Sequence, residues 1–233
     1  MIATPYTAML RAAGLPATLY PPGARIGLLG GSFNPPHEGH RHLSRQAAAH
    51  LGLHEVWWLV APQNPLKPTQ GMAPLPTRLA DARSAASGLD SVRVTDIEAR
   101  LGTRYTIDTV RALKRLYPLA RFVWVIGADN FIQLPRWRAW KALMAAVPIA
   151  VFDRPTYASR ALDGAAAGQF AASRMDPRLG RHLADRRAPA WAFFRTALDP
   201  SSSTALRARK AESERRMRLE GMASGTAKTR SGP

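Results

Sequence analysis

The sequence lacks cysteine altogether and is short of acidic residues. Without any cysteine among its 233 residues, the chain has no disulfides, thiolate metal sites or cysteine nucleophiles. Only 16 aspartates and glutamates stand against 33 lysines and arginines, which gives a net charge of +17. This charge attracts anions such as small phosphates, nucleic acid or anionic lipid. A compositional bias toward arginine explains the charge equally well, so charge alone does not choose among these ligands.

Long apolar runs are missing as well. No stretch approaches the roughly 18–20 uninterrupted apolar residues that a membrane span requires. The first 23 residues show no basic start followed by an apolar run, and four prolines interrupt them, so we expect no cleaved signal peptide. We therefore expect a cytoplasmic protein with no membrane partner.

Short apolar runs alternate with helix-like segments along most of the chain. Predicted strands cover residues 25–31, 55–61, 91–97, 121–127, 147–152 and 191–196, and predicted helices cover 37–50, 77–87, 105–117, 137–146 and 158–168. Residues 62–76 are predicted to form a loop, because proline, glutamine and asparagine interrupt any periodicity. The alternation predicts an α/β fold, a Rossmann-like doubly wound parallel sheet in one domain with a small helical C-terminal part.

The densest chemistry follows the first predicted strand, in the segment GGSFNPPHEGH at residues 30–40. Glycines at a strand-to-helix turn let the backbone approach a ligand closely. The helix start that follows favours a phosphate, because unpaired N–H groups and the positive dipole end point at it. His37 and His40 are three residues apart, so their imidazoles share a face and can donate hydrogen bonds to phosphate oxygens. A zinc site is disfavoured, because this pair lacks an obvious third ligand.

A second anion site is predicted at SSTALR, residues 202–207. Hydroxyls and backbone N–H groups gather there at a predicted helix start, with Arg207 about one turn later. Alone, the segment could equally be an N-cap followed by a solvated arginine. Between the two motifs, Gly127 and Asp129 end a buried strand, where ligands of parallel sheets gather, although Asp129 could simply cap the next helix.

These motifs resemble a known family. SFNPPHEGH resembles the signature of the nucleotidyltransferase superfamily, and the chain is most similar to bacterial nicotinate-mononucleotide adenylyltransferases. The motifs that carry this resemblance occur in the expected order, namely SFNPPHEGH, YTIDT, GAD, LPRWRAW and SSTALR. The resemblance spans roughly residues 25–207, which we take as the nucleotidyltransferase domain from residue 24. Residues 1–23 form an N-terminal extension outside the usual pattern, and residues 208–233 are expected to form a basic helix and a disordered tail.

The resemblance implies a transfer of AMP from ATP to nicotinate mononucleotide, which yields deamido-NAD and pyrophosphate. His37 and His40 are the implied catalytic residues. The implied ATP and phosphate contacts are Gly30, Gly31, Ser32, Phe33, Gly39, Gly127, Asp129, Ser202, Ser203, Thr204 and Arg207. The implied mononucleotide contacts are Asn34, Lys67, Thr106, Trp137 and Arg138.

Within these contacts, the carboxylate of Asp129 is expected on the adenosine ribose and the indole of Trp137 on the pyridine ring. Thr106 and nearby amides would bind the nicotinate side, unless Thr106 is a plain helix cap. Mg²⁺ is expected to arrive with ATP and to be held mainly by substrate and water, without a protein metal site.

Other functions stay open at this stage. The acceptor could be nicotinamide mononucleotide or phosphopantetheine, and acid versus amide is not decided by sequence. A different class is a nucleic-acid-binding protein that uses the net charge, although we do not expect nucleic acid as a partner. A homo-oligomer is possible. A class I aminoacyl-tRNA synthetase is disfavoured, because no room remains for a tRNA-reading domain.

Overall fold

The computed structural model describes residues 4–63, 70–154 and 156–196, and within them one all-parallel sheet of seven strands is present. The strands are β1 (Arg25–Gly31), β2 (Glu55–Val60), β3 (Val92–Thr95), β4 (Arg121–Gly127), β5 (Ile149–Phe152), β6 (Arg174–Met175) and β7 (Trp191–Phe194). Their order is β3-β2-β1-β4-β5-β7-β6. The chain therefore winds outward in both directions from the central pair β1 and β4, and the crevice at such a switch point is where open α/β sheets bind ligands.

Helices cover both faces of this sheet. They are α1 (Thr4–Ala12), α2 (Glu38–Leu51), α3 (Leu75–Ala86), α4 (Ile97–Leu101), α5 (Thr106–Leu116), α6 (Ala128–Gln133), α7 (Trp140–Ala146), α8 (Ala158–Leu162) and α9 (Ala165–Gln169). Short 3₁₀ helices span Leu134–Arg136, Ala171–Ser173 and Pro177–Asp185. Every helix in the described ranges is too short or too polar to cross a bilayer.

The strands are apolar throughout because both faces of the sheet are buried. Successive residues on a strand enter opposite cores: Trp57 packs into the cluster beneath α5, while Trp58 packs into the cluster beneath α2. Both indole side chains are fully buried. The doubly wound α/β prediction is thus confirmed, and the pattern of uninterrupted apolar strands is the reason it could be made.

Several predicted boundaries are wrong, each for a local reason. The strand of 91–97 ends at Thr95, because Ile97 already begins α4. The helix of 137–146 begins only at Trp140, since residues 137–139 form a bend and a turn and Ala139 has a left-handed backbone with φ 51°. The helix of 158–168 is two helices, α8 and α9, with Gly164 as the N-cap of the second. The loop of 62–76 runs too far, because α3 starts at Leu75.

The N-terminal extension is part of the folded core. Leu10 and Leu15 are buried in the same cluster as Trp57. The Tyr117 hydroxyl donates a hydrogen bond of 2.6 Å to the Pro16 carbonyl, which ties the extension to the end of α5. Sequence analysis placed these residues outside the usual pattern and predicted no structure for them, because a single short helix of weak periodicity carries no motif.

A half-buried ionic network fastens the extension to β2. The Tyr20 hydroxyl donates to the Glu55 carboxylate, which also accepts hydrogen bonds from the Trp57 indole at 2.8 Å and from the Arg93 guanidinium at 2.7 and 2.8 Å. Burial raises the pKa of Glu55, but the hydrogen bonds from Arg93, Tyr20 and Trp57 outweigh it and hold the pKa below its usual value. Glu55 is therefore a paired and ionised carboxylate.

Leu10→Ala tests whether the extension contributes to stability. Leu10 is fully buried, so we expect its truncation to lower the free energy of unfolding by about 2–5 kcal/mol, measured by urea denaturation. Leu119→Ala is the control, because this leucine is exposed and its truncation should change stability by no more than about 0.5 kcal/mol. Equal small effects for the two variants would contradict the packing of α1 against the core.

Candidate active site

A cleft of about 690 Å³ opens at the carboxyl ends of β1 and β4. One wall is formed by residues 29–34 with His37 and His40, and another by residues 124–127 with Asp129 and Asn130. A third wall contains Glu98, Arg104, Tyr105, Thr106, Arg136, Trp137 and Arg138. The cleft thus lies at the switch point of the sheet, and residues far apart in the chain meet in it.

Ring packing shapes the turn after β1. A Cβ atom added to Gly30 would lie 2.7 Å from the Trp124 ring, and one added to Gly31 would lie 3.2 Å from the Phe33 ring. Phe33 itself has a left-handed backbone with φ 46°, which is costly for an aromatic residue. Its buried ring stacks on Trp58, with centroids 5.1 Å apart, and this packing holds the turn in place.

The two histidines are held side by side at the start of α2. Their ring centroids are 3.9 Å apart, and the His37 backbone N–H donates to Nδ1 of His40 at 3.2 Å. Because Nδ1 accepts this hydrogen bond, the neutral His40 ring carries its proton on Nε2. The Phe33 ring packs against the His40 ring, with centroids 4.6 Å apart. Both histidines are among the residues that line the cleft.

Gly127 and Asp129 occupy the matching position at the end of β4. Asp129 Oδ1 lies 3.3 Å from Arg154 Nε, and both side chains are mostly buried. A Cβ atom on Gly127 would lie 2.6 Å from that oxygen and 2.9 Å from that nitrogen, so the ion pair requires glycine here. Gly127 is also the N-cap of α6, which rules out the interpretation of Asp129 as a mere cap. Arg154 was missed by sequence analysis, since it follows β5 without a recognisable motif.

Three buried polar atoms of cleft residues have no hydrogen-bond partner within the described residues. These are Oγ of Ser32, Nε1 of Trp124 and Oδ1 of Asp129, the last of which has only its ion-pair contact with Arg154. Buried polar groups are normally satisfied, so these atoms are suited to a ligand or a bound water. Asn34 differs: its side-chain amide donates to the Gly71 carbonyl at 3.0 Å and accepts from the Ala73 N–H at 3.2 Å.

The third wall combines aromatic rings with arginines. Tyr105 is the N-cap of α5, which leaves Thr106 as the first helical residue rather than the cap. The Arg138 guanidinium lies 4.8 Å from the Tyr105 ring centroid, and that of Arg104 lies 5.7 Å from it. Trp137 is half-buried and meets Trp124 edge-on, with centroids 6.3 Å apart. This wall offers a flat apolar surface beside positive charge and a helix start.

Not every predicted site residue lies in this cleft. Gly39 instead lines a small adjoining depression with Gly127 and Arg154. The predicted contacts Lys67, Ser202, Ser203, Thr204 and Arg207 lie outside the described residues, as do the predicted C-terminal helix and tail.

Arg78 braces the loops that carry the site, and nothing in the sequence pointed to it. Its guanidinium is buried and donates to the carbonyls of Ser32 at 2.8 Å, Ala61 at 2.7 Å, Pro62 at 2.8 Å and Ala73 at 2.9 Å. Burial lowers the pKa of Arg78 from its ordinary value. One side chain on α3 thus joins the turn after β1 to the segments that follow β2.

Glu98 is a second residue that sequence analysis missed. Its carboxyl group is buried, lines the cleft and accepts a hydrogen bond of 3.1 Å from Thr109 Oγ1 on α5. Burial raises the pKa of Glu98 to about 7, although the hydrogen bond from Thr109 opposes this. The side chain therefore changes charge near neutral pH.

Comparison with known proteins places the chain among nucleotide-transferring proteins. The family model described as cytidylyltransferase-like matches residues 28–209. A Parvibaculum lavamentivorans protein named "Probable nicotinate-nucleotide adenylyltransferase" is 48% identical over 191 residues, which are 82% of this chain and 94% of that protein. A Gluconobacter oxydans protein of the same name is 51% identical over 183 residues, 78% of this chain and 93% of its own.

A solved structure shares the fold. The nicotinic acid mononucleotide adenylyltransferase of Plasmodium falciparum, complexed with NaAD, superposes with a TM-score of 0.57 at 16% identity. The match covers 78% of this chain and 81% of that one. At this identity the likeness supports the architecture alone.

Arg78→Lys tests the brace. Lysine keeps the charge but cannot reach four separate carbonyls, so we expect the free energy of unfolding to fall by about 2–4 kcal/mol, measured by urea denaturation. Arg83→Lys on the same helix is the control: Arg83 is exposed, and its replacement should change stability by no more than about 0.5 kcal/mol. A near-neutral Arg78→Lys would show that the hydrogen bonds to these carbonyls are dispensable.

Glu98→Gln tests the raised pKa through the pH dependence of stability. The unfolded chain releases this proton near pH 4.5 and the folded chain near pH 7, so Glu98 makes stability fall as pH rises between these values. Glutamine keeps an acceptor for Thr109 but cannot ionise. We therefore expect the stability of the wild type, relative to that of Glu98→Gln, to decline across this window in urea titrations. If the difference in stability between the wild type and Glu98→Gln stayed constant with pH, the raised pKa of Glu98 would be contradicted.

Proposed function

This chain belongs to the cytidylyltransferase-like family, and we propose that it transfers the AMP moiety of ATP to nicotinate mononucleotide. The products are deamido-NAD and pyrophosphate. One observation carries the proposal: the paired histidines and the aromatic, arginine-lined wall beside Thr106 face one cleft. Relatives about half identical to this chain bear the name of this activity.

The reaction needs little acid–base chemistry from the protein. The 5′-phosphate of the mononucleotide is an anionic nucleophile at neutral pH, and one of its oxygens attacks the α-phosphorus of ATP. As that P–O bond forms, the bond to the β-phosphate oxygen breaks and pyrophosphate leaves with the electron pair. Catalysis then consists of positioning two anions and neutralising the charge that develops between them.

His37 and His40 supply that neutralisation. The tautomer of His40 directs its Nε2–H group as a donor toward the α-phosphate, and both rings lie next to the departing pyrophosphate. Gly30, Gly31 and Ser32 let the phosphates approach the backbone, and the unpaired Ser32 hydroxyl adds a donor. Because these groups are packed before substrate arrives, little reorganisation opposes the reaction.

The two substrates occupy opposite ends of the cleft. On the ATP side, the Asp129 carboxylate accepts hydrogen bonds from ribose hydroxyls beside Gly127 and Phe33. Ser202, Ser203, Thr204 and Arg207 are proposed to hold the β- and γ-phosphates. On the mononucleotide side, Trp137 stacks on the pyridine ring, while Thr106, Arg138, Asn34 and Lys67 contact its polar groups.

Mg²⁺ is proposed to arrive with ATP as part of the substrate. Within the described residues no group of three or more histidines, aspartates or glutamates is spaced to hold a metal ion. Of the two carboxyl groups that these residues place in the cleft, that of Asp129 is paired with Arg154 and that of Glu98 accepts a hydrogen bond from Thr109. These donors suit a cation carried by triphosphate oxygens and water, a common arrangement for Mg²⁺ in phosphoryl transfer.

The acceptor is tested by supplying MgATP with nicotinate mononucleotide, nicotinamide mononucleotide or phosphopantetheine and measuring pyrophosphate release. We expect the fastest saturable turnover with nicotinate mononucleotide, because Arg104, Arg136 and Arg138 surround that end of the cleft. Faster turnover with phosphopantetheine would reassign the acceptor and leave the AMP transfer in place.

His40→Ala tests the mechanism. We expect turnover to fall by about 10²–10⁴-fold, the range for loss of one electrostatic or acid group, while the circular dichroism spectrum is preserved. His182→Ala is the matched control, because His182 is exposed and lies outside the cleft. Near-normal turnover of His40→Ala would remove this imidazole from the mechanism.

A further inference from the structure

We propose that Glu98 sets the preference of the mononucleotide site between a substrate that carries a carboxylate and one that carries a carboxamide. The inference rests on the proposed function and names a residue that selects the substrate rather than one that performs the chemistry. It follows from where the carboxyl group of Glu98 lies and from which charges surround it.

The Glu98 carboxyl group is anchored to the start of α5. Thr109 Oγ1, one turn into that helix, donates to Glu98 Oε1 at 3.1 Å. The hydroxyls of Thr103 and Thr109 are 2.8 Å apart, which ties the connection between α4 and α5 into the same cluster. The cleft that Glu98 lines is also lined by Tyr105 and Thr106, which form the start of the helix. A nicotinate carboxylate bound near Thr106 therefore lies within about one helical turn of this group.

The elements around Glu98 leave its charge without an ion-pair partner in the described residues. On α4, Asp96 and Arg100 pair with each other. The charged side chains of α5, including Asp108 and Arg111, are exposed. Strand β2 presents apolar residues except for Glu55, which is bound by Arg93. On the cleft side, Arg104 and Arg138 lie over the Tyr105 ring.

The charge state of Glu98 consequently decides what the helix start can hold. A helix N-terminus stabilises nearby negative charge through a dipole end equivalent to only about half a positive charge. When Glu98 is neutral, that capacity is available to the carboxylate of nicotinate. When it is ionised, two like charges share one helix start and the nicotinate carboxylate is repelled, whereas an uncharged carboxamide is not. Burial raises the pKa of Glu98 to about 7, so the change falls within the working range of pH.

The experiment compares kcat/KM for nicotinate mononucleotide with kcat/KM for nicotinamide mononucleotide from about pH 5.5 to about pH 8.5. Both substrates share the 5′-phosphate, MgATP and the two histidines, so titration of those groups cancels in the ratio. The nicotinate carboxylate stays ionised throughout, because carboxyl groups in water titrate near pH 4. The ratio therefore reports on protein groups that distinguish acid from amide.

We expect the wild-type ratio to fall roughly tenfold as pH rises through about 7, the size of a like-charge interaction inside a protein. Glu98→Gln should give a flat ratio at the wild-type low-pH value. Asp90→Asn is the charge-matched control, because Asp90 is exposed and outside the cleft, and it should keep the wild-type profile. A flat wild-type ratio, or a fall that survives in Glu98→Gln, would overturn the proposal.

Thr109→Val supplies a readout that a purely structural role would not move. The hydrogen bond from Thr109 lowers the pKa of Glu98, so its removal should shift the midpoint of the ratio to higher pH. Thr109→Ser keeps the hydroxyl and should restore the wild-type midpoint. An unchanged midpoint in Thr109→Val counts against Glu98 as the titrating group.

Failure of this inference is distinguishable from failure of the proposed function. If neither mononucleotide is turned over at any pH, the function itself is wrong and the inference falls with it. If both are turned over but the ratio of their kcat/KM values does not change with pH, the proposed function is retained and only the role of Glu98 is overturned.

Discussion

The pairing of β1 with β4 at the centre of the sheet is the constraint on which the site depends. Because the chain winds outward from these two strands, their carboxyl ends lie side by side and their loops diverge to leave a crevice. Each end carries a glycine that close packing demands, Gly30 against the Trp124 ring and Gly127 against the pair of Asp129 and Arg154. At both glycines the neighbouring side chains leave no room for a Cβ atom. The backbone there is therefore open to close approach by a ligand.

Arginine side chains make the cleft electropositive, and the buried guanidinium of Arg78 holds the surrounding loops together. Among the described residues, four arginines line the cleft, namely Arg104, Arg136, Arg138 and Arg154. Their positive charge suits two phosphate-bearing substrates that would otherwise repel each other. Arg78 acts differently: it binds carbonyls rather than ligand, and so converts the loops after β1 and β2 into one rigid unit. Donors held in this way stabilise developing charge without first having to reorganise.

The parts of the molecule that could be predicted from the sequence are those determined by short patterns of neighbouring residues. Apolar strands, the outward-wound sheet and the turn leading to His37 and His40 all follow from short patterns, and the family that they indicated is confirmed. Residues that act through distant contacts could not be predicted. Arg78 and Glu98 sit on helices without a motif, and their roles exist only because the fold buries them against loops from elsewhere in the chain. The assignment of individual contacts to ATP or mononucleotide stays a prediction.

The extension fastened by Tyr20 and Pro16 has a consequence for synthesis of the protein. Its apolar residues are made well before their partners, since the hydroxyl of Tyr117 that binds Pro16 is made 101 residues later. Until β2 and α5 have emerged, Leu10 and Leu15 lack members of the apolar cluster to which they belong. The nascent chain therefore carries an uncovered apolar segment while the residues between Pro16 and Tyr117 are made, and this side of the sheet can close only after α5 is available.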